Sequence, residues 1–301
     1  MMTIVKIEGV SKSFGKAEAL KAVTFKMEKG EVLGFIGPNG AGKSTTIRIL
    51  LGMIKADSGS VSIFGKDVWS DAVEIHKQVA YVPGDVSLWP NLTGGEVIDL
   101  FLSLRDQAVD HEKKATLIEA FDFDPTKKCR SYSKGNRQKV ALIAAFAAEA
   151  DLYIFDEPTS GLDPLQEKVF QKQVERVKKE GASVLLSSHI LSEVEKLCDT
   201  IAIIRNGEIV EAGQLHQLRY LKRSEISIES TDHLAFLEKN DWIHGFIHMS
   251  GSNQYKFQIS SNKMTTLIAT LQGLNIQSLD SQPQKLEDLF MRHYEKGVGE
   301  S

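Results

Sequence analysis

A glycine-rich loop after a short apolar run contains the residues whose types and spacing most directly suggest chemistry. The loop extends from Gly37 to Ser44 with the sequence GPNGAGKS, and the apolar run Val32–Ile36 precedes it. Its glycines lack Cβ atoms, so backbone N–H groups can approach a ligand closely and surround an anion. A helix predicted to begin near Lys43 adds the positive end of its dipole. The expected ligand is therefore a phosphate group.

The spacing G-x-x-x-x-G-K-S is that of the phosphate-binding loop of nucleoside triphosphatases. In such a loop Lys43 reaches the β- and γ-phosphates, and the Ser44 hydroxyl binds Mg²⁺. An accidental glycine-rich turn is the alternative, but the strand before the loop and the helical apolar spacing after it match the required context. The predicted triphosphate-binding residues of this segment are Gly37, Pro38, Asn39, Gly40, Ala41, Gly42, Lys43, Ser44 and Thr45.

Polar residues also follow two other apolar segments. Asp156 and Glu157 come directly after Asp151–Phe155, and His189 follows Ser183–Ser188. Strands that alternate with helices indicate a parallel sheet, whose ligands bind at the carboxyl ends of its strands. We therefore expect these three segments to converge, although each taken alone also fits a helix cap or a structural histidine.

This arrangement predicts a role for each side chain. Asp156 would bind Mg²⁺ together with Ser44, and Glu157 would orient and polarise the attacking water. His189 would donate to the γ-phosphate as negative charge develops. Phe14 lies in a predicted turn, Ser11–Lys16, and either stacks on a purine ring or packs within a hairpin.

Composition limits the classes of function that fit. The chain has 301 residues, 42% hydrophobic and 25% charged, with a formal net charge of −4, so no basic field indicates a nucleic-acid partner. Cys129 and Cys198 match no metal-binding spacing and predict free thiols in a reducing compartment. No signal-peptide pattern and no apolar run of about 18–20 residues is present. A role in a membrane process would thus require another chain to cross the bilayer.

The pattern over residues 93–149 is helical. Thr93 and Glu96 form a predicted capping box, and Asp110 is placed to cap a second helix. The predicted apolar positions are Val97, Leu100, Phe101 and Leu104 in the first helix and Leu117, Ile118 and Phe121 in the second. Between Thr200 and Glu211 the dipeptide Asn206-Gly207 predicts a hairpin.

A smaller domain is predicted after a linking helix at Leu215–Arg223. Its pattern is β-α-β-β-α-β, typical of a ferredoxin-like module, with helices at Thr231–Lys239 and Ser261–Leu271. The segment Lys285–Tyr294 has one apolar face and is predicted to be a helix that docks on its own domain or on a partner. Residues from Lys296 onward are predicted to be a disordered tail.

The motifs together resemble the ATP-binding subunit of an ATP-binding cassette (ABC) transporter over Ile4–Gln214. Gly37–Ser44 looks like the Walker A motif of that family, and Leu152–Asp156 with Glu157 looks like Walker B and its catalytic glutamate. His189 stands where the family has its switch histidine, and Phe14 where it has an aromatic residue against adenine.

Two further segments carry the resemblance. Ser160–Asp163 is similar to the D-loop, which implies that Asp163 takes part in ATP binding. Tyr132–Asn136 stands where the family has its signature Leu-Ser-Gly-Gly-Gln, so Ser133 and Gly135 are implied to contact the γ-phosphate. Two positions depart from that signature, because Lys134 replaces a glycine and Asn136 replaces the glutamine.

A third departure affects the Q-loop. Gly84 stands where the family has a glutamine, and glycine has no side chain to bind Mg²⁺, so Asp85 or a water molecule would substitute. At the other end of the chain, Gln284–Phe290 contains LEDLF, which looks like the ending common among drug- and antibiotic-exporter ATPases.

The resemblance implies an α/β phosphate-loop ATPase domain at residues 1–217, with a helical subdomain at about 86–150. A small α+β domain would follow at residues 218–301. It also implies ATP and Mg²⁺ as cofactors and a head-to-tail dimer, either of two copies or with a related ATPase, in which each ATP is held between two chains. The subunit would lie peripherally at the cytoplasmic face of the membrane and drive export through a separate permease. A groove around Asp85–Leu92 would receive the permease, unless Trp89 there is simply a core residue.

Two other classes of protein fit the sequence less well. A soluble ABC ATPase acting on ribosomes or DNA would usually carry two cassettes or long coiled-coil insertions, and this chain has neither. A phosphate-loop kinase or GTPase would lack the signature segment and His189. An ABC exporter subunit is therefore the preferred interpretation.

Overall fold

The computed structural model describes residues 2–105, 110–217, 223–249 and 252–283. The chain divides between Gly213 and Gln214 into two compact units, which are described separately.

The first unit contains ten strands and seven α-helices within the described ranges. The strands are β1 Thr3–Phe14, β2 Ala17–Glu28, β3 Val32–Ile36, β4 Ser58–Ile63, β5 Lys66–Asp67, β6 Val79–Val82, β7 Leu152–Asp156, β8 Ser183–Ser188, β9 Thr200–Arg205 and β10 Glu208–Gln214. The helices are α1 Lys43–Leu50, α2 Ala72–His76, α3 Gly94–Ser103, α4 His111–Ala120, α5 Lys134–Ala147, α6 Pro164–Lys179 and α7 Leu191–Leu197.

A six-stranded sheet forms the centre of this unit. Its order is β10-β9-β3-β8-β7-β6, and the strands from β9 to β6 pair in parallel. Every residue of β3, β7 and β8 is buried, as expected for a parallel sheet covered on both faces. The predicted α/β class is confirmed, and so is the hairpin at Asn206-Gly207, where both residues have positive φ.

A second, four-stranded sheet has the order β2-β1-β4-β5 and is antiparallel. Its inward residues join the core of the parallel sheet, as Ile7 and Met27 do on β1 and β2. The strand β1 is longer than predicted and continues to Phe14, so the turn predicted for Ser11–Lys16 is limited to Gly15 and Lys16.

The helical region agrees with the prediction except at one position. Thr93 and Glu96 form the capping box of α3, and Asp110 caps α4. Leu104, however, is 72% exposed, because α3 ends at Ser103 and buries Ile98 and Leu102 instead. The prediction that Leu104 belongs to the apolar face of this helix was wrong, since it assumed that α3 continues beyond Ser103.

An aromatic cluster joins α5, β7 and α6. The ring centroid of Phe146 lies 6.0 Å from that of Tyr153, 5.3 Å from that of Phe155 and 6.0 Å from that of Phe170. Offset and edge-to-face pairs at these distances add to the stabilisation from burial. The cluster fixes the helix α5 against the strand that ends at Asp156.

The second unit has an antiparallel sheet with helical segments packed against its apolar core. Its elements are β11 Arg223–Ser230, β12 Ile243–His248, β13 Gln254–Ser260, α8 Met264–Leu271 and β14 Ile276–Pro283, in the sheet order β12-β13-β11-β14. This order and the antiparallel pairing are those of the predicted ferredoxin-like module.

The helix predicted at Thr231–Lys239 is instead a short 3₁₀ turn at Ala235–Lys239. At the start of the predicted helix, Asp232 forms hydrogen bonds that a helix does not contain. Its N–H donates to the Ser230 hydroxyl, and its carboxylate accepts from Asn275 N–H. Such local side-chain bonds compete with helix formation. The predicted helix at Ser261–Leu271 is confirmed as α8 with a preceding 3₁₀ turn.

Some predictions fall outside the described residues. The linking segment is described as a 3₁₀ turn at Leu215–Gln217, and residues 218–222 lie outside the description. The terminal amphipathic segment Lys285–Tyr294, the LEDLF motif and the tail from Lys296 also lie outside it. None of the helices in the described ranges has the length and apolar character that a bilayer crossing requires.

The aromatic cluster generates a stability prediction. Phe146→Ala should lower the free energy of unfolding by about 3–5 kcal/mol, because a fully buried ring is replaced by a cavity. Leu104→Ala is the control and should change it by less than about 0.5 kcal/mol, since Leu104 is exposed. Urea unfolding followed by tryptophan fluorescence measures both, and equal losses would contradict the assigned packing.

Candidate functional site

The three polar segments predicted to converge follow three neighbouring strands. In the parallel sheet β8 lies between β3 and β7, with Ile36 paired to Ser188 and Asp156 paired to Ser187. The loop after β3, His189 after β8 and Glu157 after β7 therefore leave the same edge of the sheet. The parallel pairing of adjacent strands brings them together.

The loop between β3 and α1 requires glycine at defined positions. Gly40 and Gly42 have φ of 79° and 113°, which residues with a Cβ rarely adopt. A Cβ at Gly37 would collide with the backbone oxygen of Ile204 on β9, and one at Gly42 would lie 2.7 Å from Leu20 Cδ2. The glycines thus permit both the turn and its close packing on the neighbouring strands.

The helix α1 begins at Lys43, with Gly42 as an N-cap that provides no side-chain bond. The first N–H groups of a helix have no partner within the helix, and together with its dipole they form a site for an anion. Ser44 and Thr45 are in this first turn. The main chain here presents donors to a phosphate.

Lys43 spans the loop and is only 5% exposed. Its ammonium group donates to the carbonyl oxygens of Gly37 at 2.7 Å and Pro38 at 3.2 Å. The same nitrogen lies 3.3 Å from Glu157 Oε1. A cation is therefore held at the bottom of the loop, with its charge balanced by a carboxylate and two carbonyl groups.

Asp156, Glu157 and His189 lie at the same edge of the sheet as that cation. The buried Asp156 carboxylate accepts a 2.5 Å hydrogen bond from the Ser187 hydroxyl. Glu157 has a positive φ of 50°, a conformation that is uncommon for residues other than glycine and occurs frequently at functional sites. Its Oε2 lies 3.4 Å from His189 Nδ1. Glu157 thus connects the lysine to the histidine.

The signature-like segment forms a separate cluster. Ser133 caps α5 by accepting from Asn136 N–H at 3.3 Å, and Lys134 donates to the Ser160 hydroxyl at 2.7 Å. A Cβ at Gly135 would collide with the Gly161 carbonyl oxygen. The segment thus packs on the D-loop-like residues.

Two other predicted residues, Asp163 and Phe14, lie outside these clusters. Asp163 caps α6 by accepting from Leu165 N–H and Gln166 N–H. Phe14 is 52% exposed at the end of β1, with the Lys12 ammonium 5.6 Å from its ring centroid. It is therefore an available aromatic surface and is not a core residue.

The Q-loop position contacts the strand end through its backbone. A Cβ at Gly84 would lie 3.1 Å from the Asp156 carbonyl oxygen, so Gly84 abuts the buried end of β7. The neighbouring Asp85 is exposed. In the part of the chain that the structure describes, no three His, Cys, Asp or Glu side chains lie close enough together to hold a metal ion.

Two functional neighbours were missed by the sequence reasoning. Ser187 bonds the Asp156 carboxylate, and Glu193 is buried behind Ser188. The available signal was the pair of hydroxyl residues, Ser187 and Ser188, at the end of an otherwise apolar strand. That signal does not identify their partners.

The fold and this site define a phosphate-loop nucleoside triphosphatase. The sequence profile of the ABC transporter family matches residues 20–160. An uncharacterised ABC transporter ATP-binding protein of Bacillus subtilis (strain 168), YdbJ, is 32% identical, and the alignment covers 98% of this chain and 97% of the relative. The chain therefore belongs to the family of ABC transporter ATP-binding proteins, and it is an ABC ATPase.

One further relative agrees with this assignment, and one solved structure shares the fold. The bacitracin transport ATP-binding protein BcrA of Bacillus licheniformis is 28% identical, with 97% of each chain covered. The solved dimer of the ATP-binding cassette MJ0796, in a post-hydrolysis state bound to ADP and Pi, shares the fold with a TM-score of 0.64 at 24% identity. That match covers 70% of this chain and 99% of the cassette. The recognition of an ABC ATP-binding subunit from the sequence is confirmed.

The loop geometry predicts that two glycines differ in their tolerance of alanine. Gly37→Ala should abolish ATP binding, because its Cβ would displace the loop from Ile204. A Cβ at Gly40 would meet no atom within 4 Å. Gly40→Ala should therefore lower the free energy of unfolding by only about 1–2 kcal/mol, through backbone strain. Equilibrium binding of a fluorescent ATP analogue and urea unfolding distinguish them, and equal affinities for the two variants would contradict this geometry.

Proposed function

We propose that this chain is the ATP-hydrolysing subunit of an exporter that moves a small molecule through a separate membrane permease. The observation that carries the proposal is the convergence of Lys43, Glu157 and His189, with contacts of 3.3 and 3.4 Å, at the N-terminus of α1. A cation, a carboxylate and an imidazole at a phosphate-binding helix end are the groups that γ-phosphate cleavage requires.

ATP binding would rearrange the contacts of the lysine. The β- and γ-phosphates would replace the Gly37 and Pro38 carbonyl groups as partners of the Lys43 ammonium. The first N–H groups of α1 would bind phosphate oxygens, and Phe14 would stack on the adenine. The binding residues are thus proposed to be those of the loop, Gly37–Thr45, together with Phe14.

Mg²⁺ fits the residues at this site. Asp156 is buried, with one hydroxyl bonded to Oδ1, and Ser44 offers its hydroxyl from the first turn of α1. Mg²⁺ bound to a triphosphate needs few protein ligands, because phosphate and water oxygens complete its octahedron. Asp156 and Ser44 would hold the ion, which would neutralise charge on the phosphates, and the exposed Asp85 is a weaker candidate.

Glu157 and His189 are proposed as the catalytic pair. Glu157 would accept hydrogen bonds from the attacking water and align it with the γ-phosphate. His189 would donate to the γ-phosphate and stabilise the charge that develops there. The 3.4 Å contact between their side chains supports this pairing.

The second half of the site is proposed to come from another chain. Ser133 and Gly135 are at the N-terminus of α5 and pack on Gly161, so they form a cluster of their own. An exposed helix N-terminus attracts phosphate, and the Lys134 ammonium adds positive charge. In a head-to-tail dimer, homomeric or with a related ATPase, this end and Asp163 would face the ATP bound by the partner's loop.

A groove beside β6 and α5 is the proposed docking site of the permease. The cavity is about 210 Å³ and is lined by apolar and small residues, with Arg105 at its margin. Its lining residues are Ala80, Tyr81, Pro83, Val86, Ser87, Phe101, Arg105, Ala141, Ala144, Ala145 and Ala148. Trp89 is half exposed and packs at 6.0 Å on Phe101, so it extends this apolar surface. An apolar side chain of a cytoplasmic permease helix fits such a groove.

Binding there would place the subunit peripherally at the cytoplasmic face of the membrane. Residues 1–217 would act as the nucleotide-binding domain, with a helical subdomain at about 86–150, and residues 218–301 as an accessory domain. The bacitracin transport named for BcrA supports a role in small-molecule transport for this chain.

Glu157→Gln should trap the ATP-bound dimer, because the amide fills the same space but cannot act as a general base. We expect the apparent mass in gel filtration with ATP and Mg²⁺ to double, and turnover to fall at least about 100-fold. Glu175→Gln, an exposed position on α6, is the control. A monomeric Glu157→Gln protein with ordinary turnover would refute the sandwich.

Ala144→Leu should fill the groove and uncouple the permease. We expect ATP binding by the isolated subunit to stay within about twofold, while co-purification with the permease from membranes is lost. Overpacking typically costs about 1–3 kcal/mol, so the unfolding midpoint is measured in parallel. Ala115→Leu places the same side chain at an exposed position on α4, and equal retention of the permease by both variants would exclude this groove.

A further inference from the structure

A buried carboxyl group lies directly behind the loop that carries His189. Glu193 on α7 is 5% exposed, and glutamate is almost never buried to this degree without a specific partner. The chemistry proposed above does not use it. Its contacts therefore indicate what it does.

Glu193 is linked to the backbone on both sides of His189 through one hydroxyl group. Its Oε2 accepts a 2.8 Å hydrogen bond from Ser188 Oγ, and that same Oγ accepts at 2.9 Å from Ile190 N–H. Ser188 precedes His189 and Ile190 follows it. The carboxyl group thus restrains the chain immediately before and after the histidine.

This arrangement is a capping box with an inserted hydroxyl group. Ile190 is the N-cap of α7 and has no side-chain cap, and Glu193 is the third residue of the helix. In an ordinary capping box the glutamate at this position accepts directly from the N-cap N–H. Here the Ser188 hydroxyl stands between them, so the start of α7 depends on the carboxyl group through that serine.

The carboxyl group also borders the segment after Glu157. The buried Thr159 hydroxyl interacts with it, while Oε1 has no hydrogen bond of ordinary geometry among the described residues. The pKa of Glu193 is raised to about 7, because burial and, to a smaller degree, the charge of Glu167 on α6 outweigh the hydrogen bonds from Ser188 and Thr159, which lower it. Burial and, to a smaller degree, the charge of Glu193 raise the pKa of the Cys198 thiol at the C-cap of α7.

We propose that Glu193 is a positioning residue that holds the His189 loop, through Ser188, against the Thr159 segment. The role rests on the proposed function, because His189 requires an exact position only if ATP is cleaved beside it. Glu193 itself would not touch the nucleotide. It would set the direction of the imidazole relative to Glu157.

Two substitutions separate positioning from simple space filling. Glu193→Gln keeps the volume, an acceptor for Ser188 and a donor for Thr159, whereas Glu193→Met keeps the volume and removes every hydrogen bond. We expect Glu193→Gln to retain kcat within about twofold and Glu193→Met to lose at least tenfold in kcat, with KM for ATP unchanged. Ser188→Ala should lower kcat in the same direction, and Ser192→Ala, exposed on the same helix, should have no effect.

A direct measurement on the unliganded full-length chain is independent of ATP cleavage. The imidazole ¹H–¹³C resonance of His189, assigned by its loss in His189→Ala, should shift in Glu193→Met and Ser188→Ala and remain in place in Glu193→Gln. An unmoved resonance in Glu193→Met would overturn the proposal, as would full kcat in that variant. If wild-type protein binds no ATP while the resonance still responds, the proposed function fails and the positioning contact stands.

The pH dependence of stability gives a second readout. Because the pKa of Glu193 is raised in the folded chain, the folded state retains its proton between about pH 4.5, the ordinary value, and about 7, while the unfolded state loses it. Wild-type stability relative to Glu193→Gln should therefore fall as pH rises through this window and level off above about 7. A pH-independent difference in unfolding midpoint would contradict the burial of this group.

Discussion

The buried ammonium group of Lys43 is the constraint on which the rest of the site depends. A cation that is nearly excluded from water is unfavourable unless polar partners surround it. Here the Gly37 and Pro38 carbonyl groups and the Glu157 carboxylate supply them. The glycines are needed because the loop must bring those carbonyl groups close, and the backbone of Glu157 adopts a left-handed conformation at the position from which its side chain reaches the lysine. Phosphate groups entering this loop therefore meet a cation whose partners are already in place.

The strand order of the parallel sheet determines which residues meet at this site. Because β8 lies between β3 and β7, Glu157 comes within 3.3 Å of the Lys43 ammonium group, and His189 comes within 3.4 Å of Glu157. The middle residues of these strands are apolar, and the polar side chains of the site lie at or beyond their carboxyl ends. Phe146 on α5 packs against Phe155, the residue of β7 directly before Asp156, and this contact fixes the position of the strand end. The buried core and the reactive edge are thus consecutive parts of the same strands.

The sequence allowed much of this to be predicted, because local motifs specify local structure. The loop, the capping box at Thr93 and the hairpin at Asn206-Gly207 depend on neighbouring residues and were predicted correctly. Contacts between distant segments leave no such pattern. The partnership of Glu193 with Ser188, the position of Lys134 against Ser160 and the short turn in place of a helix at Thr231–Lys239 all depend on tertiary neighbours. The exposure of Leu104 likewise depends on where the helix α3 ends, which apolar spacing alone does not determine.

One feature of α5 has a mechanical consequence. Ser133 is its N-cap and Gly135 lies in its first turn, and its later turns supply three alanines, Ala141, Ala144 and Ala145, to the wall of the groove. The helix has 14 residues and no proline, and its one glycine, Gly135, lies in the first turn, so at about 1.5 Å per residue it is a stiff rod of roughly 21 Å. Because the helix is stiff, a displacement of its N-terminal end also moves its C-terminal end. In the proposed dimer, a movement of the signature-like end on ATP binding would therefore be transmitted to the groove through this one helix.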